Sequence, residues 1–297
     1  MKDIGKIFLY LLGTVFVGAL LAPLLFWIAQ SLGSHLENAR LVALLTETDF
    51  QRFFNRAVLV AAFALLWPLV RALRIRNLGE DIGLRRERRP WRRLGTGFAI
   101  AMASLALLGT CLIACEIYYI KGNIPWSRIA WLPLTAFTVA IIEEVLFRGA
   151  IQGVVQRTAT DFFGIFSVAF LFSAIHFLKP PENAVAATQV HWWSGFALVP
   201  QAFWQFEQPG LLFGGFTTIF IVGLILGYAR CRTRSLWMPI GLHAGWIFGK
   251  MSFSKITKRT AEAWPWFGSD MLVGFGPVLI LLATGLVVWF WLRDEPV

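Results

Sequence analysis

The chain has 297 residues, of which 57% are hydrophobic and only 15% charged, with a formal net charge of +10. Soluble domains carry about 25% charged residues, so this composition excludes an ordinary soluble enzyme and predicts a bilayer-embedded chain. The excess of cations does not predict nucleic-acid binding, because the basic residues fall in loops between apolar runs, where membrane proteins keep them.

A membrane-spanning helix needs about 20 mostly apolar residues. Eight runs qualify, roughly 7–31, 53–73, 94–117, 131–156, 161–179, 210–230, 235–253 and 271–292. The expected fold is all-α: a polytopic transmembrane helical bundle of about eight spans, in one integral membrane domain over 1–297. The first run follows Met1–Lys6 and holds no charge from Ile7 through Ser34, too long for a cleaved signal. It reads as the first spanning helix. The second run contains Pro68 and the seventh Pro239, so either can be kinked or tilted.

Arg71, Arg74, Arg76, Arg85, Arg86, Arg88, Arg89, Arg92 and Arg93 stand between spans two and three, against Glu80, Asp81 and Glu87. By the positive-inside rule this loop is cytoplasmic, and with it the N-terminus and the Arg230–Arg232–Arg234 loop. Lys250, Lys255, Lys258 and Arg259 then face outward, against the rule. The predicted location is a bacterial inner membrane, crossed several times.

The fourth run carries Glu143, Glu144 and Arg148 inside apolar sequence. A charge at the bilayer centre costs about 2.5–3.5 kcal/mol or more, so each marks a functional site. Glu144 and Arg148 are spaced i,i+4 on one helix face and can pair. Glu143 is rotated by roughly a quarter-turn and is left to act as a base. The fifth run carries His176. Glu143 and His176 lie nearly equal numbers of residues from the polar turn near Arg157–Asp161, so an antiparallel hairpin puts them at one depth. The seventh run carries His243, with Gly241 and Gly245 permitting close helix approach.

Two chemistries fit two histidines and two glutamates on three spans. One is a zinc site of His/His/Glu type built from Glu143, His176 and His243, with an activated water. The other is metal-free: Glu143 and His176 activate water and His243 stabilises the oxyanion. HExxH is absent. His35 reads as interfacial and His191 is left open. Cys111, Cys115 and Cys231 form no CxxC pair and read as packing residues. The segment 180–209, with Pro180, Pro181, His191, Trp192, Trp193, Phe203, Trp204 and Phe206, reads as interfacial or re-entrant.

These motifs resemble those of the CAAX prenyl endopeptidase and bacteriocin-processing (Abi) family of intramembrane proteases, over roughly 130–250. That family's EExxxR motif corresponds to Glu143, Glu144 and Arg148. Its FxxxH motif corresponds to Phe172 and His176, and its HxxxN/D motif to His243, with Ile247 where the family has Asn or Asp. The Gly83-Leu84-Arg85-Arg86 stretch is also like bacterial members. The resemblance implies hydrolysis of a peptide bond in a membrane-associated protein or peptide, in contact with lipid, by Glu143, Glu144, Arg148, His176 and His243. Zinc is left open by it. Isoleucine cannot donate a hydrogen bond to an oxyanion, which leaves Trp246 and Lys250 as the nearby candidates. Two further readings stand beside the protease: a catalytically inactive scaffold that binds membrane peptides, and a proton-coupled transporter, for which no inverted repeat is visible.

Overall fold

The computed structural model describes residues 2–36, 42, 45–74, 83, 89–157, 159–182 and 184–294. Most of the basic stretch between spans two and three, including Arg76, Leu84, Arg85, Arg86, Arg88, Glu80, Asp81 and Glu87, lies outside them. The described residues are overwhelmingly helical. All eight predicted runs form helix: α1 (Lys2–Gly33), α2 (Phe50–Ala72), α3 (Pro90–Ala114), α4 (Trp126–Gln156), α5 (Asp161–Phe177), then, after the short α6 (Ser194–Gln201), α7 (Pro209–Thr233), α8 (Trp237–Ile256) and α9 (Phe275–Leu292).

Six of these are long and apolar enough to cross a membrane, rather than the eight of the sequence reading. The exceptions are α5, with 17 residues, and α8, which is 20 residues long. The reason for α8 is its surroundings. Every residue from Met238 through Trp246 is buried by protein, so this stretch need not present an apolar surface to lipid.

The chain divides into two compact units, Met1–Ile75 with His176–Gln208, and Arg76–Ile175 with Pro209–Val297. In the first, α1 and α2 form an antiparallel hairpin. A Cβ at Gly18 would stand 2.6 Å from Val58, and Tyr10 donates its hydroxyl to the Ala62 carbonyl at 2.9 Å. Phe26 packs edge-on against Phe50 and Phe53 where the hairpin closes. The predicted interfacial segment contributes α6, which lies against α1 so closely that a Cβ at Gly195 would collide with the Ala19 carbonyl. Trp192 and Trp193 are exposed at its start, as expected of interfacial indoles, and the His191 ring stacks on Trp193 at 4.5 Å. His35 lies just beyond α1, its Nδ1 2.7 Å from the Ser31 carbonyl.

In the second unit α3 and α8 run parallel and nearly touch. Gly241 meets Leu94, Gly245 meets Phe98 and Ala101, and Gly249 meets Leu105, each closer than a side chain would allow. Small residues every four positions are the means by which membrane helices approach backbone to backbone. The packed core joins α3, α7, α8 and α9 through residues such as Leu108, Leu226, Leu242 and Val288.

Each end of this unit has its own charge pattern. Arg89, Arg92 and Arg93 open α3, and Trp91 meets Trp237 of the neighbouring α8 N-terminus at 5.6 Å. At the other end a two-stranded antiparallel ribbon pairs β1 (Tyr118–Ile120) with β2 (Thr257–Arg259). There two of the cations that break the positive-inside pattern have acidic partners. Lys250 pairs with Asp270 at 3.3 Å, Arg259 pairs with Glu262, and Lys121 donates to the Ser254 and Lys255 carbonyls that end α8.

Candidate active site

The α-helical part of α4, Leu132–Glu144, gives way to seven π-helical residues, Val145–Ile151, before an α-helical end, Gln152–Gln156. Such wide turns are rare and concentrate at functional sites. The change falls at the charged motif. Glu144 and Arg148 are both fully buried, with Arg148 Nη1 2.9 Å from Glu144 Oε1. The i,i+4 pairing expected from the sequence is therefore present. Arg148 also donates through Nη2 to the Gly223 carbonyl of α7 at 3.4 Å.

His243 joins the same carboxylate. Its Nδ1 lies 2.8 Å from Glu144 Oε1 and its Nε2 lies 3.7 Å from Glu143 Oε2. One oxygen of Glu144 thus ties a guanidinium on α4 to an imidazole on α8. A histidine whose Nδ1 is fixed by a carboxylate has its other nitrogen aimed in one direction, here toward Glu143. Glu143 retains 21% side-chain exposure where Glu144 has none. Both carboxylates nevertheless converge on the His243 ring, although the quarter-turn between them sets Glu143 apart on the helix.

Phe172 of α5 closes the cluster. The Arg148 guanidinium lies 4.4 Å from its ring centre, and the His243 ring meets it edge-on at 5.7 Å. A cation over an aromatic face is favoured by about 0.5–2 kcal/mol, more as it is buried. The sequence gives Phe172 only as a motif position; its double contact comes from the tertiary packing. His176 follows one turn later in α5, half-buried, and belongs to the other compact unit.

The two residues considered as substitutes at position 247 are both engaged. Trp246 Nε1 donates to Ser104 Oγ at 3.1 Å, and Lys250 is paired with Asp270. Ile247 itself is half-buried. A tetrahedral zinc site needs at least three protein ligands. Among the described residues no group of three or more His, Cys, Asp or Glu side chains is placed to hold a metal ion. Glu143 and His243 offer two donors, with the remaining His243 nitrogen already held by Glu144. The three cysteines are unpaired.

Residues 124–249 match the family model described as Rce1-like, type II CAAX prenyl endopeptidase. This stretch is similar to the Rce1-like family. It spans α4 through most of α8 and so contains every residue of the cluster just described. Comparisons with curated proteins and with solved structures returned no match. The chain is an integral, multi-pass membrane protein with a stretch similar to CAAX-type proteases.

Proposed function

We propose that the protein is an intramembrane endopeptidase that cleaves a membrane-associated protein or peptide substrate, with Glu143 as the general base. The observation that carries this reading is the buried Arg148–Glu144–His243 chain, which aims His243 Nε2 at the more exposed carboxylate of Glu143. Arg148 holds Glu144 in place, and Glu144 fixes His243. Glu143 and His176 share the activation of water. The water oxygen attacks the scissile carbonyl carbon while its proton passes to Glu143. The carbonyl oxygen gains the negative charge of the tetrahedral intermediate, with His243 as its donor. Collapse breaks the C–N bond, and Glu143 returns the proton to the leaving amine.

The family description supports substrates with a lipidated C-terminal segment, delivered within the bilayer. The arginines at the start of α3 and the end of α7 support a cytoplasmic N-terminus in a bacterial inner membrane. The test is to reconstitute wild type, Glu143→Gln and His176→Ala, and follow cleavage of prenylated and unprenylated membrane peptides. Loss of cleavage in both variants is expected; equal cleavage in all three proteins overturns the reading.

A second reading, a peptide-binding scaffold without turnover, is favoured by one observation. Position 247 is isoleucine, and the nearby donors Trp246 and Lys250 are committed elsewhere. Binding of a peptide by wild type, with no cleavage and with affinity unchanged by Glu143→Gln, supports it.

A further inference from the structure

Hydrolysis inside a bilayer requires water where lipid excludes it. On α4, Glu144, Arg148, Gln152 and Gln156 recur every four residues and form a polar edge that continues away from the site. The facing edge of α7 repeats with the same step. Arg148 donates to the Gly223 carbonyl and Gln152 Nε2 to the Gly227 carbonyl at 3.1 Å. Cys231 Sγ accepts from both Gln152 and Gln156. Gln156 Nε2 also reaches the exposed Asp161 carboxylate at 3.0 Å, in the turn between α4 and α5. The edge therefore runs from the buried carboxylate to an exposed polar turn, about 18 Å along the helix.

Three side chains in successive turns of this edge leave a polar atom without a protein partner: Glu144 Oε2, Arg148 Nε and Gln152 Oε1. All three residues are buried, with at most 1% exposure. Buried groups of this kind cost about 1–3 kcal/mol each when unsatisfied, and ordered water is their usual partner in a polar site. The helices pack closely where the edge passes, so the space beside it is narrow. Gly227 stands beside Gln152 Oε1, and Gly223 faces Ala169 of α5.

We propose that α4, α5 and α7 hold a file of ordered water along Glu144, Arg148 and Gln152, connecting the buried carboxylate to the surface at Gln156 and Asp161. Gln152 is the central water ligand, its amide nitrogen held by Gly227 and its oxygen left to accept from water. That the water is consumed at Glu143 rests on the endopeptidase reading; that the water is there does not.

The experiment is millisecond hydroxyl-radical footprinting of the purified protein in detergent, which labels buried side chains lying next to ordered water. Phe147 and Phe172 are the reporters, since both rings are buried beside Arg148. Wild type is expected to show oxidation of both. Gln152→Met, near in size and unable to bond water, should lower it about tenfold, the ratio equivalent to one lost hydrogen bond. Oxidation of the exposed Trp192 should stay unchanged. Gly227→Ala, which crowds Gln152 Oε1 while keeping the glutamine, should act in the same direction even if Gln152→Met folds poorly. No labelling of the two rings in wild type, or labelling equal in wild type and both variants, overturns the water file. Cleavage is measured on the same samples. Labelling of wild type without any cleavage by wild type sinks the endopeptidase reading alone, and cleavage without labelling sinks the water file alone.

Discussion

His243 and Glu144 are separated by 99 positions in the chain and meet at 2.8 Å, Nδ1 to Oε1, in the interior of the protein. The same oxygen takes Arg148 at 2.9 Å. Glu144 is thereby the joint of the cluster, and Glu143 is the carboxylate left with exposure and with a histidine nitrogen in front of it.

Replacing Glu143 should therefore separate activity from folding. Glu143→Gln removes the base but keeps the side-chain shape, and turnover should fall by about 10²–10⁴-fold, the usual contribution of general base catalysis. Thermal unfolding in detergent should stay close to wild type. A variant that cleaves at the wild-type rate refutes the assignment.

Removing the partner of Glu144 should act on stability first. Arg148→Met leaves a buried carboxylate without its cation and should cost about 3–5 kcal/mol. Adding Glu144→Gln to Arg148→Met removes the stranded charge and should recover a large part of that loss. Unfolding midpoints of the two single variants and the double variant measure the coupling, and strict additivity contradicts a direct pair.

Ile247→Asn should raise activity. Oxyanion donors contribute about 10²–10³-fold where they are present, and position 247 is one turn beyond His243 on α8. Steady-state cleavage by the variant should exceed wild type through kcat rather than KM. Unchanged or lower turnover would show that the oxyanion is served from elsewhere.

The approach of α3 to α8 sets the depth of His243 and should tolerate no added bulk. Gly245→Leu places a side chain where Ala101 and Phe98 already stand less than 3 Å from a bare Cβ. Overpacking at such sites costs about 1–3 kcal/mol. A lowered melting temperature together with loss of cleavage is expected, while an exposed-face change such as Leu107→Ala should leave both intact.

The helices were legible in the sequence because uninterrupted apolar length is a strong signal, and the eight runs appear where hydropathy puts them. Span counting went further than the structure supports. Composition cannot tell a helix wrapped in lipid from one wrapped in protein, and α8 is largely the latter through its first half. Glu144 and Arg148 were readable as an i,i+4 pair because that contact is local. The bond from His243 to Glu144 was not. Counting residues from the loops sets His243 shallower than Glu143, so sequence spacing does not bring His243 to the carboxylates. The π-helical turn leaves no mark in hydropathy, and neither does the commitment of Trp246 to Ser104. Of the cations around Lys250–Arg259 that depart from the charge rule, Lys250 and Arg259 have acidic partners distant or local in the chain, Asp270 and Glu262.

The seven π-helical residues of α4 also act as a phase setting. They sit between the carboxylates that build the site and the glutamines that face α7, so they fix the angle between those two sets of side chains. An α-helix turns about 100° per residue, and removing one residue between Val145 and Ile151 would rotate Gln152 and Gln156 off α7 by about that angle. Length changes in this stretch should therefore be far more damaging than substitutions of the same residues, although none of them carries out chemistry except through Arg148.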